Sequence, residues 1–66
     1  MGYKRNLKGL RVSKGFTQKE IAKLIHMSKV TYVKKENEKS SFTVYEALDL
    51  AKILGVSVES IFLGNK

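Results

Sequence analysis

The 66-residue sequence has no cysteine, only one histidine and six acidic residues. The absence of cysteine excludes disulfide bonds and thiolate metal sites, and it fits a protein of a reducing cytoplasm. One histidine, few carboxylates and no glycine-rich phosphate loop leave little from which to build a catalytic or metal site. We therefore expect no enzyme activity, no cofactor and no metal.

The sequence also lacks the apolar run of about 20 residues that a transmembrane helix needs, and no signal-peptide pattern opens it. Its length corresponds to a single small domain, residues 1–66, near the lower limit for a self-sufficient core. A domain of this size often depends on a partner for part of its stability. We expect a soluble cytoplasmic protein without membrane contact and without a small-molecule ligand.

Charge is distributed unevenly along the chain. Residues 1–41 hold 11 of the 13 basic residues and three acidic ones, whereas residues 42–66 hold two basic and three acidic residues. The first part therefore carries a net charge of +8 and the second −1. This asymmetry favours one surface for a polyanion and another for packing. The simpler alternative is that the lysines only keep a small protein soluble.

The stretch from residue 18 to residue 37 has the pattern of two short helices joined by a tight turn. Apolar residues recur at helical spacing in its first half, at Ile21, Ala22 and Ile25. Thr17 and Glu20 form the capping-box pattern that begins one helix, and Ser28 is a suitable N-cap for a second. The short distance between the two caps is typical of a helix-turn-helix, whose second helix can lie in a DNA major groove.

Three further helices are predicted around this motif. Residues 4–14 form the first, and Gly15 can take the left-handed conformation that ends a helix. Thr43 begins a long apolar helix, and Ser57 caps a last short one. These patterns predict an all-α domain of five helices. The apolar residues near the two ends, Tyr3 and Phe62-Leu63, leave open a short terminal two-stranded ribbon.

Many positions match a known family in order and spacing. Within and beside the motif they are Thr17, Gln18, Ala22, Ser28, Tyr32, Glu36, Asn37 and Lys39. Before it they are Leu7, Leu10, Arg11, Lys14 and Gly15, and after it Leu48, Ala51, Leu54, Gly55, Val56 and Ser57. Over residues 4–63 this set resembles the Cro/C1-type helix-turn-helix family of phage repressors and small bacterial regulators. The resemblance implies a compact, lambda-repressor-like domain that binds double-stranded DNA.

In that family the second helix of the motif reads the bases. The resemblance implies this role for Lys29, Val30 and Lys34, with Thr31 close by. Lysine can donate to guanine O6 and N7, and the methyl groups of valine and threonine can pack on the thymine methyl. The alternatives are ordinary solvated charges for the lysines and an additional core position for Val30.

The ends of the two helices are expected to contact DNA phosphates. Gln18 and Ser28 stand at predicted helix N-termini, where free amides and the helix dipole favour an anion. The capping residue Thr17 can act with them, and Asn37 and Lys39 match family positions that hold the DNA backbone. Such contacts add salt-dependent affinity without reading sequence.

The resemblance also assigns structural roles. Arg11 and Glu36 match positions that form an ion pair between the first helix and the end of the third, so Arg11 is expected to be scaffold. His26 stands where the family usually has glycine with a positive φ, a conformation that histidine tolerates better than most residues. Glu38 replaces another usual glycine and brings an acid near the phosphates.

We expect a sequence-specific transcriptional repressor of bacterial or phage origin that binds an inverted repeat as a homodimer, because two half-sites supply specificity that one module lacks. The dimer surface is expected in the near-neutral C-terminal part, which gathers more apolar surface than a short helix can bury. It comprises Val56, Val58, Ile61, Phe62 and Leu63, joined by Tyr3 from the start of the chain. The alternative is a protein-interaction module, such as an antitoxin or a coactivator.

Overall fold

The computed structural model describes residues 2–63, which form five helices. They are α1 Lys4–Ser13, α2 Gln18–Leu24, α3 Lys29–Glu36, α4 Val44–Leu54 and α5 Val58–Phe62. This confirms the predicted all-α class and the predicted order of helices. Between residues 2 and 63 there is no strand, so the terminal ribbon is not formed. None of the five helices has the length and hydropathy that crossing a bilayer requires.

Side-chain caps fix where four of the helices begin. At α2, Thr17 Oγ1 accepts from the Glu20 N–H at 3.0 Å, and Glu20 Oε1 accepts from the Thr17 N–H at 2.9 Å. Thr43 and Glu46 form the same pair of hydrogen bonds at α4, at 3.1 and 2.9 Å. α3 and α5 begin with serine caps. Each cap satisfies an amide that the first helical turn leaves free, so local sequence patterns locate these starts.

Helices α1 to α4 all end with one residue at positive φ. These residues are Gly15 (84°), His26 (59°), Glu38 (64°) and Gly55 (69°). At the end of α2, for example, the Met27 N–H donates to the Ala22 carbonyl at 2.9 Å, as in a Schellman motif. Glycine takes this conformation freely, whereas a residue with a side chain is strained there by roughly 1–2 kcal/mol. The ends of α2 and α3 therefore carry local strain.

The core lies where α1, α4 and α5 meet the helix-turn-helix pair. Its buried apolar residues are Leu7, Ile21, Ala22, Ile25, Tyr32, Leu50, Ala51, Leu54 and Ile61. α2 packs on α3, α1 packs on α3, and α5 packs against both α1 and α4. Asn6 in α1 holds α5, because its side-chain amide donates to the carbonyls of Ser60 and Ile61. α1, α4 and α5 thus form the part of the domain against which α2 and α3 pack.

Four aromatic rings close one side of this core. The Phe42 ring centroid lies 5.7 Å from that of Tyr3, 5.7 Å from that of Phe62 and 5.9 Å from that of Tyr32. Tyr3 and Phe62, whose centroids are 4.9 Å apart, thus meet as packed rings within one molecule. This contact replaces the strand pairing that the apolar residues near the two ends left open.

Burial changes the predicted dimer surface. Ile61 is 0% exposed, so it is a core residue, which corrects its assignment to that surface. Val56 and Val58 are half-buried and pack against the core. Leu63 is 74% exposed. A short helix between α1 and α4 buries more of its own apolar surface than its length suggests, because two neighbours cover it.

Candidate nucleic-acid interface

The α2–turn–α3 unit is held together from its inner side. Ile21, Ala22 and Ile25 of α2 and the turn are buried, as is Tyr32 of α3. Ser28 begins α3 four residues after Leu24 ends α2, and its Oγ accepts from the Thr31 N–H at 3.1 Å. Because the buried residues all belong to one side of the unit, the other side of α3 faces outward.

The outward surface of α3 carries Lys29, Val30, Thr31 and Lys34, all of them exposed. Val30 is 67% exposed, which rules out the alternative of an additional core position. Thr31 is exposed; its hydroxyl accepts from Ser28 Oγ at 3.0 Å, and its side chain also carries a methyl group. Two long cationic side chains and two methyl-bearing ones thus share this surface, and these are groups that can contact guanine and thymine.

Behind α3, the Glu36 carboxylate accepts hydrogen bonds from three helices. Arg11 of α1 donates through Nε at 2.8 Å and through Nη2 at 3.3 Å. Gln18 of α2 donates through Nε2 at 2.7 Å, and Tyr32 donates through its hydroxyl at 2.8 Å. Arg11 also donates from Nη1 to the Phe16 carbonyl at 2.8 Å. With Arg11 6% and Glu36 1% exposed, this is a buried ion pair between α1 and α3, and the Gln18 hydrogen bond joins α2 to it.

The Glu36 carboxyl is stabilised in its ionised form. Burial alone would raise its pKa, but the hydrogen bonds from Arg11, Gln18 and Tyr32 outweigh burial and hold the pKa below its ordinary value of 4.5. Burial, followed by the hydrogen bond to Glu36, raises the pKa of the Tyr32 phenol, which therefore stays a donor. At neutral pH the cluster is therefore a carboxylate paired with the Arg11 cation and bonded by the neutral donors of Gln18 and Tyr32.

The α2–turn–α3 unit lies within a segment of the chain that matches a known protein family. A family model described as helix-turn-helix matches residues 7–61. The chain belongs to the Cro/C1-type helix-turn-helix family. The matched range contains α2, the turn, α3 and α4 complete. The family is one of DNA-binding regulators and not of enzymes. A search among curated proteins found no match.

In this helix-turn-helix protein the expected phosphate-contacting residues lie at the ends of α2 and α3. Thr17 and Ser28 are the exposed N-caps, and Asn37 is the half-buried C-cap of α3. Lys39 is exposed two residues later, and its N–H donates to the Lys34 carbonyl at 2.8 Å. Ser28, Asn37 and Lys39 therefore lie before and after α3 in the chain, and Thr17 lies at the start of α2.

Gln18, expected to contact phosphate, also makes a structural contact that the sequence did not indicate. Its side chain is half-buried and donates to Glu36 Oε1 at 2.7 Å. A carboxamide has two N–H groups and one carbonyl, so one donor is still available for a phosphate. The Tyr32–Glu36 bond could have been found, because residues four apart on a helix are neighbours. The Gln18–Glu36 bond, between residues 18 apart, leaves no local signal.

Two charged residues near the end of α3 bind neighbouring elements. Lys35 Nζ lies 2.7 Å from Glu46 Oε1 and so joins α3 to α4. Burial would raise the pKa of Glu46, but the hydrogen bonds from Lys35 and Thr43 lower it. Glu38 Oε2 accepts from the Lys4 N–H at 2.7 Å, at the start of α1, where Tyr3 gives no side-chain cap. Glu38 therefore supplies the cap that α1 lacks.

Proposed function

We propose that this chain is a sequence-specific transcriptional repressor that binds an inverted repeat in double-stranded DNA as a homodimer. The observation that carries the proposal is the outward surface of α3, defined by Lys29, Val30, Thr31 and Lys34. This helix is anchored at its end by the buried Arg11–Glu36 pair, so its exposed side chains have a rigid support. The net charge of +7 attracts the duplex to it.

The side chains divide into those that read bases and those that hold phosphates. Lys29 and Lys34 donate to guanine, while Val30 and the Thr31 methyl group pack on thymine methyl groups. Thr17, Gln18, Ser28, Asn37 and Lys39 contact the phosphates on either side of the groove. Phosphate contacts fix the register and give most of the salt dependence, and base contacts give the sequence preference.

The homodimer is supported by apolar side chains that stay exposed in the near-neutral part of the chain. Leu63 and the half-buried Tyr3, Val56, Val58 and Phe62 remain from the predicted set, and Val44, Tyr45 and Leu48 of α4 are also exposed. Sedimentation should show a dimer at micromolar concentration and on the operator. A monomer on DNA would contradict this part, and a different protein that co-purifies stably would favour the antitoxin or coactivator alternative.

As a DNA-binding regulator, the protein would act on the DNA of a bacterial cytoplasm, in the nucleoid. Selection of bound sequences from random duplex DNA tests the function directly, and a short inverted repeat is the expected result. Recovery of random sequences would contradict sequence-specific binding. Two symmetric half-sites in the recovered sequences would also agree with the dimer.

Two single substitutions separate base reading from phosphate holding. Lys34→Ala should relax the preference at one base pair in each half-site. Lys39→Ala should weaken all sequences alike and reduce the slope of log K against log salt by about one unit. Lys52→Ala on α4 removes an equal charge from an exposed position and serves as the control. Equal effects of all three substitutions would mean that only net charge matters.

A further inference from the structure

The first turn of α1 is held against the segment that ends α3. The Lys4 N–H donates to Glu38 Oε2 at 2.7 Å. The Tyr3 hydroxyl donates to the Lys35 carbonyl at 2.8 Å, and its ring packs against Phe42. These contacts join residues more than 30 positions apart, so the start of α1 stays beside the loop that follows α3.

The exposed side of this turn is basic. Lys4, Arg5 and Lys8 are exposed and line one open groove together with Gly2 and Glu38. Three cations and one carboxylate therefore line the groove, and that carboxylate is already bonded to a backbone N–H of α1. We call these five residues the α1 basic groove. Its charge fits a polyanion, and its open form suits an extended partner more than an enclosed ligand.

We propose that the α1 basic groove binds phosphates of the DNA duplex outside the base pairs that α3 reads. The inference rests on the proposed DNA binding by α3 and extends the contact outward from it. Arg5 and Lys8 are three residues apart on α1, and a helix rises about 1.5 Å per residue, so they are separated by about 4.5 Å along its axis. That separation is close to the step of about 3.4 Å along the duplex axis between neighbouring phosphates of one strand.

Continuity with the expected phosphate contacts favours a duplex over other anions. Asn37 and Lys39, on either side of Glu38, are the expected backbone contacts at the end of α3. The α1 basic groove includes Glu38 itself and so begins where that set ends. A duplex held by Lys39 has its next phosphates close to the groove, whereas a free phosphate ion would gain nothing from that neighbour.

The test is the salt dependence of DNA binding by the Arg5→Gln/Lys8→Gln double variant. Both side chains are exposed, so the fold should be unchanged. Thermal denaturation monitored by circular dichroism checks this. Affinity is measured by fluorescence anisotropy at several KCl concentrations, on the selected site within a long duplex. Each phosphate contact contributes about 0.9 to the slope of log K against log salt, so the slope should fall by about 1.8.

The matched control is Lys23→Gln/Lys52→Gln, which removes the same charge from exposed positions on α2 and α4 and should leave the slope unchanged. On a duplex trimmed to the base pairs that α3 requires, the unaltered protein and the Arg5→Gln/Lys8→Gln variant should bind alike. An unchanged slope on the long duplex, or an equal loss on the trimmed one, would overturn the inference. If the unaltered protein bound no duplex, the proposed function would fail as well.

Discussion

Replacement of Arg11 by methionine removes the cation from the buried cluster behind α3 and leaves its apolar stem largely in place. Glu36 then keeps only the donors of Gln18 and Tyr32, and the Phe16 carbonyl loses its partner. Stranding one charge of a buried pair costs about 3–5 kcal/mol. At about 0.05–0.15 kcal/mol per residue, the whole domain is stable by only about 3–10 kcal/mol. The substitution should therefore remove a large share of the stability.

The assay is thermal and urea denaturation, with Lys14→Met as the control. Lys14 is exposed, so its replacement should change the free energy of unfolding by less than about 0.5 kcal/mol. At about 4–8 °C per kcal/mol, Arg11→Met should lower the melting temperature by about 12–40 °C. DNA affinity per folded molecule, measured in the cold, should change far less, because Arg11 is 6% exposed. A drop no larger than that of the control would refute the assigned role.

The pH dependence of the same variant identifies the cause of the loss. In the unaltered protein the pKa of Glu36 lies below 4.5, so its ionised form stabilises the fold above that pH and this contribution is lost as the pH falls further. Without Arg11, burial should raise the pKa of Glu36. The difference in stability between the two proteins should then shrink from pH 7 towards pH 4. A constant difference would mean that lost packing of the arginine stem, not stranded charge, is responsible.

Two further substitutions test the strained helix ends. His26→Gly should stabilise the protein by about 1 kcal/mol, because glycine removes the strain of φ 59° at an exposed residue. Glu38→Gly relieves the same kind of strain at φ 64° but also removes the acceptor of the Lys4 N–H, so its gain should be smaller than that of His26→Gly. Urea denaturation measures both, and equal gains would mean that the Glu38–Lys4 bond contributes nothing.

The features that the sequence predicted are local or follow from the family pattern. The capping boxes at Thr17 and Thr43 depend on residues three apart, and a hydroxyl followed by a glutamate can be read directly. The Arg11–Glu36 contact came from the resemblance, since nothing in the spacing of two residues 25 positions apart indicates it. The prediction that α3 has an exposed surface likewise combined the local helical period with the family pattern.

The features that the sequence missed depend on contacts between distant segments. Glu38 was interpreted as an acid near phosphates, and its bond to the start of α1 joins residues 34 positions apart. Ile61 was placed on a partner-facing surface because its helix is short, yet α1 and α4 bury it completely. Hydrophobicity shows that a residue will be covered, but only the three-dimensional packing shows by which part of the protein.

Substitutions on the two sides of α3 should have different effects on the protein. Tyr32 and Glu36 on the inner side are tied to α1 and α2, so an alteration there disturbs the whole domain. On the outer side, Lys29, Val30 and Lys34 make no side-chain hydrogen bond or ion pair within residues 2–63. Under the proposed function, new side chains at those positions would change the DNA sequence that the protein binds while its stability stayed nearly constant, so its specificity could diverge faster than its architecture.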